Sequence, residues 1–87
     1  MASYRLVIKA SARKELEQVE PKKFRQRLVG ALERLALDPR PPGSEKLAGA
    51  YDAYRIRQGD YRAVFSVDDE ACVVAIVKVG HRREVYR

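Results

Sequence analysis

The sequence predicts an α+β domain in which two helices pack on a mainly antiparallel four-stranded sheet, in the order β-α-α-β-β-β. Three observations carry that expectation. Phe24, Leu28, Ala31, Leu32 and Leu35 form an apolar stripe of helical period, and Tyr54 to Val67 alternates with a period of two about a Gly59-Asp60 break. The run from Cys72 to Val79 is apolar on both faces, as an interior strand covered by helices should be. Eighty-seven residues make one domain, spanning 1–87. A chain of this size buries only about 60 to 65 per cent of its unfolded surface, so its core is modest.

Each element has its own signal. Tyr4 to Ile8 reads as a short first strand, and Ser11 as the N-cap of a helix over Ala12 to Val19 with Leu16 and Val19 inward. Pro21 suits the first turn of the second helix, whose stripe is core while Lys22, Lys23, Arg25, Arg27 and Arg34 mostly occupy other faces. Asp38-Pro39-Arg40-Pro41-Pro42-Gly43 cannot continue a helix, so the chain must cross to the sheet through a loop ending near Gly49. Three antiparallel strands follow.

The hairpin fixes a charge cluster. With Gly59 and Asp60 as loop residues, Gln58 lies opposite Tyr61, Arg57 opposite Arg62, Ile56 opposite Ala63 and Arg55 opposite Val64. One face then carries Tyr54, Ile56, Ala63 and Phe65 as core, and the other gathers Arg55, Arg57 and Arg62. Like charges directly opposed cost up to about 1 kcal/mol, and a one-residue slip would bury the arginines, so the apolar pattern enforces the cluster. Either an anionic ligand rewards it, or the arginines splay into water or pair with carboxylates from elsewhere.

Composition narrows the partners. The net charge of +6 favours phosphate-rich or acidic ones, and residues 1–50, with eleven basic and six acidic side chains, hold most of the excess. The single cysteine, Cys72, excludes an internal disulfide, reads as a buried strand thiol and fits a reducing cytosol. Apolar runs are too short for a membrane span, and Arg5 and Lys9 argue against a signal peptide. One histidine and one cysteine cannot make a structural zinc site, and Asp60, Asp68, Asp69 and Glu70 sit mainly at expected turns; no metal or cofactor is expected. A glycine-rich phosphate loop, a nucleophile elbow and repeats are all lacking.

Several segments together carry a resemblance: Lys46-Leu47-x-Gly49, Tyr54-Arg55-Ile56-Arg57, Gly59-Asp60-Tyr61-Arg62, Val79-Gly80-His81-Arg82-Arg83 and Glu84-Val85-Tyr86. In this strand and helix order, nearly the whole chain resembles the RelE/ParE toxin superfamily of type II toxin-antitoxin systems. Its terminal pattern is similar to the RelE branch, whose members cleave messenger RNA in the ribosomal A site and are held inactive by an antitoxin. The resemblance implies a cytoplasmic endoribonuclease acting on mRNA at the ribosome, with a cognate antitoxin as partner. It implies that Arg62 is the arginine following the hairpin tyrosine, Arg82 the arginine two residues past the glycine, and Tyr86 the terminal tyrosine. Arg55 and Arg57 match positions often held by lysine, which keeps charge but changes geometry. His81 also stands where lysine is common, which implies an RNA-contacting charge. Arg83 is a phosphate contact or a solvated charge, and Lys46 an RNA contact or a loop surface residue.

The chemistry of such a site can be reasoned from its parts. Metal-free RNA cleavage uses the substrate's own 2′-hydroxyl as nucleophile, and needs a base for its proton, cations for the phosphorane and an acid for the leaving 5′-oxygen. A tyrosine of ordinary pKa near 10 is a poor base, but surrounding arginines favour its phenolate. Tyr86 is the candidate base and Arg62 and Arg82 the candidates for transition-state charge, with Arg55, Arg57, His81, Arg83 and Lys46 as RNA or phosphate contacts. The competing reading of Tyr86 is an aromatic that packs a terminal helix on the sheet. Two other functions stay open: a ParE-like inhibitor that binds DNA gyrase without cutting, and a degenerate member that only binds a partner.

Overall fold

The computed structural model describes residues 3–49 and 52–81. Its elements are β1 (Arg5–Ile8), α1 (Ala10–Glu17), α2 (Lys22–Arg34), β2 (Glu45–Lys46), β3 (Ala53–Gln58), β4 (Tyr61–Asp68) and β5 (Val73–His81). The sheet order is β1-β5-β4-β3-β2; β1 runs parallel to β5 and every other pairing is antiparallel. This is the expected α+β arrangement with one strand added. β2 is two residues long and polar, too short to show a period, and lies within the stretch expected to be loop.

Both helices cover one face of the sheet. Ala12, Leu16 and Val19 from the first helical segment and Leu28, Leu32 and Leu35 from the second pack on Ile56, Ala63, Phe65, Val67, Val74, Ile76 and Val79. Phe65 is fully buried at the centre, and truncating such a side chain to alanine costs about 3–5 kcal/mol. Val74, Ile76 and Val79 share this face although two of them are three residues apart. The reason is a bulge: Val64 pairs with Lys78 and Phe65 with Ile76, so Val77 is an extra residue without a partner on β4. Its insertion reverses the parity of everything after it in β5.

Several local expectations are corrected. Ser11 is not a cap. The Lys9 amide donates to the Ile76 carbonyl at 2.9 Å and the Lys9 carbonyl accepts from Arg13 at 2.9 Å, so one residue both ends the β1–β5 pairing and opens α1 at Ala10. Pro21 stands one position before α2, where its carbonyl accepts from Phe24 at 2.9 Å. Phe24 is not core. It is 39% exposed, with the Lys23 ammonium 5.7 Å from its ring centre, because the first turn of α2 lies beside the polar hairpin tip of Gln58, Gly59 and Asp60, which offers it no apolar cover. Cys72 is not a buried strand thiol: it is half-buried in the β4–β5 turn at φ 55, and β5 starts only at Val73. A left-handed conformation of a non-glycine residue costs about 1 kcal/mol and cannot continue a strand.

The loop after α2 is tied down by one side-chain cluster. Arg40 grips Asp69 with both terminal nitrogens, at 3.2 and 2.8 Å, while its Nε donates to the Tyr54 hydroxyl at 2.9 Å and its Cζ lies 5.1 Å from the Tyr54 ring centre. Tyr4 donates its hydroxyl to Asp69 at 2.6 Å. The Arg40 hydrogen bonds, then that from Tyr4, hold the Asp69 carboxyl below its usual range. The bond to Asp69 in turn raises the Tyr4 pKa.

Candidate anion site on the hairpin

The hairpin has the expected register, from Gln58↔Tyr61 through Arg57↔Arg62, Ile56↔Ala63 and Arg55↔Val64 to Tyr54↔Phe65. Gly59 takes φ 62 in the turn, a backbone shape that glycine adopts without strain. Because the sheet alternates, Arg55, Arg57 and Arg62 reach the face that the helices leave uncovered. They line a cavity of about 300 Å³ together with Gly43, Glu45 and Ile56.

The three arginines differ in how they are held. Arg62 is only 9% exposed, and its Nη1 donates to the Gly59 and Tyr61 carbonyls, each at 3.2 Å. Tucked under the turn, it presents its guanidinium as a fixed part of the cavity wall. Arg55 donates to Glu45 at 2.6 Å across the β2–β3 pairing. Among the described residues no carboxylate pairs with Arg57, which is exposed. Both parts of the ligand-free reading are realised: Arg55 pairs with a carboxylate, while Arg57 projects toward water with no carboxylate among the described residues.

The remaining site candidates fall elsewhere. Lys46 lies opposite Tyr54, one residue along from Glu45, so it takes the opposite face of β2 and does not line the cavity. His81 lies opposite Tyr61 and meets it edge to face, with ring centres 5.7 Å apart. It therefore belongs to the helix-side face and lines a second cavity, of about 220 Å³, with Glu15, Gln18, Tyr61, Val79 and Gly80. There Glu15 accepts from the Val79 amide at 3.0 Å, capping the part of β5 that runs beyond β1. Arg82, Arg83 and Tyr86 lie outside the described residues. Sequence reasoning missed Glu45, whose only signal is its pairing with Arg55 in a strand too short to foresee. Among the described residues no group of three His, Cys, Asp or Glu side chains is arranged to hold a metal. No helix among the described residues is long and apolar enough to cross a membrane.

The family model described as the ParE toxin of type II toxin-antitoxin systems matches residues 6–86. The chain belongs to the RelE/ParE toxin superfamily. It is 32% identical to Toxin RelG of Mycobacterium tuberculosis over 97% of each chain. It is similar to the isolated RelE toxin of Escherichia coli, at 34% identity and a TM-score of 0.79 over 97% of this chain and 92% of that one. The toxin in the intact RelBE toxin-antitoxin complex of E. coli matches at 33% identity and a TM-score of 0.78, over 91% of this chain and 96% of that one. The RelE/ParE fold therefore accounts for the β2 strand and the parallel β1–β5 pairing together with the elements foreseen from sequence.

Proposed function

We propose that this RelE/ParE-family toxin is a metal-independent endoribonuclease that cuts mRNA in the ribosomal A site and so arrests translation in the cytoplasm. The observation that carries the reading is the arginine-lined cavity, in which a buried, backbone-anchored Arg62 stands across the hairpin from an exposed Arg57. The anchored Arg62 guanidinium matches the need of a phosphorane for a donor that does not reorganise as charge develops, and Arg57 on the same face is placed for a neighbouring phosphate. In the reaction the substrate 2′-hydroxyl loses its proton to Tyr86 and attacks the adjacent phosphorus. Arg62 and Arg82 take the developing charge, and the 5′-oxygen departs with a proton from Arg82 or from water to leave a 2′,3′-cyclic phosphate. Arg55 and Arg57 hold the flanking backbone. The structures of RelE with RelB support a cognate antitoxin as partner here also, an acidic or amphipathic segment laid over the basic surface.

The test is a toeprint on programmed ribosomes with wild-type protein, Tyr86→Phe and Arg62→Lys, each first shown to be folded. The expected result is a cut within the A-site codon, weakened at least about tenfold in both variants and abolished by a 2′-deoxy sugar at the scissile position. Intact message with folded wild-type protein sinks the proposal. The family model's description as a ParE toxin supports a second reading, inhibition of DNA gyrase by binding. A supercoiling assay decides it, since that activity would survive Tyr86→Phe.

A further inference from the structure

Glu45 stands at the mouth of the arginine cavity, and the cleavage chemistry gives it no part. It lies directly opposite Arg55 in the β2–β3 register, so it shares the arginine face. Its Oε2 accepts from Arg55 Nη2 at 2.6 Å, and among the described residues it is the one carboxylate lining the cavity. We infer that Glu45 is a positioning residue of the anion site: its carboxylate occupies Arg55 in place of a phosphate, and an incoming phosphodiester must displace it. This rests on reading the cavity as a phosphodiester site.

The energetics favour such an exchange. The Arg55 and Glu45 side chains are 28% and 64% exposed, and a pair so open to water is held only weakly. A phosphodiester carries the same single charge as the carboxylate, so on Arg55 one anion replaces another of equal charge. The ligand gains on balance only if it also reaches Arg57 and Arg62. Until then Glu45 holds the Arg55 fork over the cavity and relieves the repulsion within the row. The local backbone allows the release. β2 pairs with β3 through two residues only, and Gly43 and Gly49, at φ 90 and φ 74, flank it. Glu45 can therefore swing aside without disturbing the interior strands.

The test measures binding of a fluorescein-labelled 2′-O-methyl oligoribonucleotide, which lacks the nucleophile, by fluorescence anisotropy. Glu45→Gln should tighten binding about two- to fivefold and steepen the log–log salt dependence by up to about 0.7. In an Arg55→Ala background the same substitution should change affinity by less than half that factor. Equal tightening in both backgrounds is a diffuse charge effect and overturns the inference. If Glu45→Gln binds no tighter while Arg57→Ala still loses affinity, the role of Glu45 falls and the RNA reading stands. If wild-type protein does not bind, or binds indifferently to Arg57→Ala, both fall together. Circular dichroism of each variant excludes a folding defect.

Discussion

Two arginine environments lie toward opposite ends of β4, and the contrast between them separates what holds this fold from what the fold presents. Arg40 is saturated: it has a bidentate carboxylate in Asp69, a phenol oxygen, and the ring of Tyr54 beneath it. Its ligands come from β3 and the β4–β5 turn, so its evident work is to fasten the loop after α2 to the sheet. At the hairpin end the arginines crowd instead of being dispersed. Arg62 bonds backbone carbonyls, Arg57 has no carboxylate among the described residues, and the two oppose each other directly. Cations crowded on one face repel one another, and an external anion that bridges them relieves that repulsion, which is how a binding site differs from a structural ion pair.

The comparison can be broken at several points. The largest effect is expected from Arg57→Ala, which should weaken binding of the 2′-O-methyl oligonucleotide about tenfold while leaving thermal stability unchanged or slightly raised, because a like-charge pair is removed. Next comes Gly59→Ala. With φ 62 in the turn, alanine should cost about 1 kcal/mol in chemical denaturation and loosen the carbonyl that Arg62 grips, so oligonucleotide affinity falls along with stability. Arg40→Ala should do the reverse of Arg57→Ala, lowering the melting temperature with oligonucleotide affinity kept within about twofold. The smallest effect is that of pH. Asp69 has a depressed pKa in the folded state, so its contribution is present above the unfolded carboxylate value and is lost as pH falls through the folded one. An NMR titration below pH about 4 should show the Arg40 Nε–H signal moving toward its free position while the hairpin amides stay in place.

How much was legible follows from the same two regions. The hairpin register was readable because a two-residue Gly-Asp turn joins two alternating runs, and alternation admits one register. That put Arg55, Arg57 and Arg62 on one face, but face is not depth. Arg62 is buried and its guanidinium folds back on the turn carbonyls, features that no period encodes. His81, expected as an RNA-contacting charge, lies on the helix side of the sheet, a position that alternation alone does not give. The cause is the bulge at Val77: with strict alternation from Ile76, residue 81 would fall on the arginine face, and the extra residue turns it over. In a run apolar at every position from Cys72 to Val77, nothing marks where a bulge will sit. The Arg40 cluster was equally hidden, since its four members come from four separate segments.

The most direct test of the central claim is cleavage of message on programmed ribosomes by wild-type protein, Arg57→Ala and Arg40→Ala, with melting temperatures measured in parallel. If the hairpin arginines serve RNA and Arg40 serves the fold, Arg57→Ala loses about tenfold or more in cutting at an unchanged melting temperature. Arg40→Ala should cut like wild type at a lowered one. Undiminished cutting by Arg57→Ala, or a loss that follows melting temperature in both variants alike, would contradict the account.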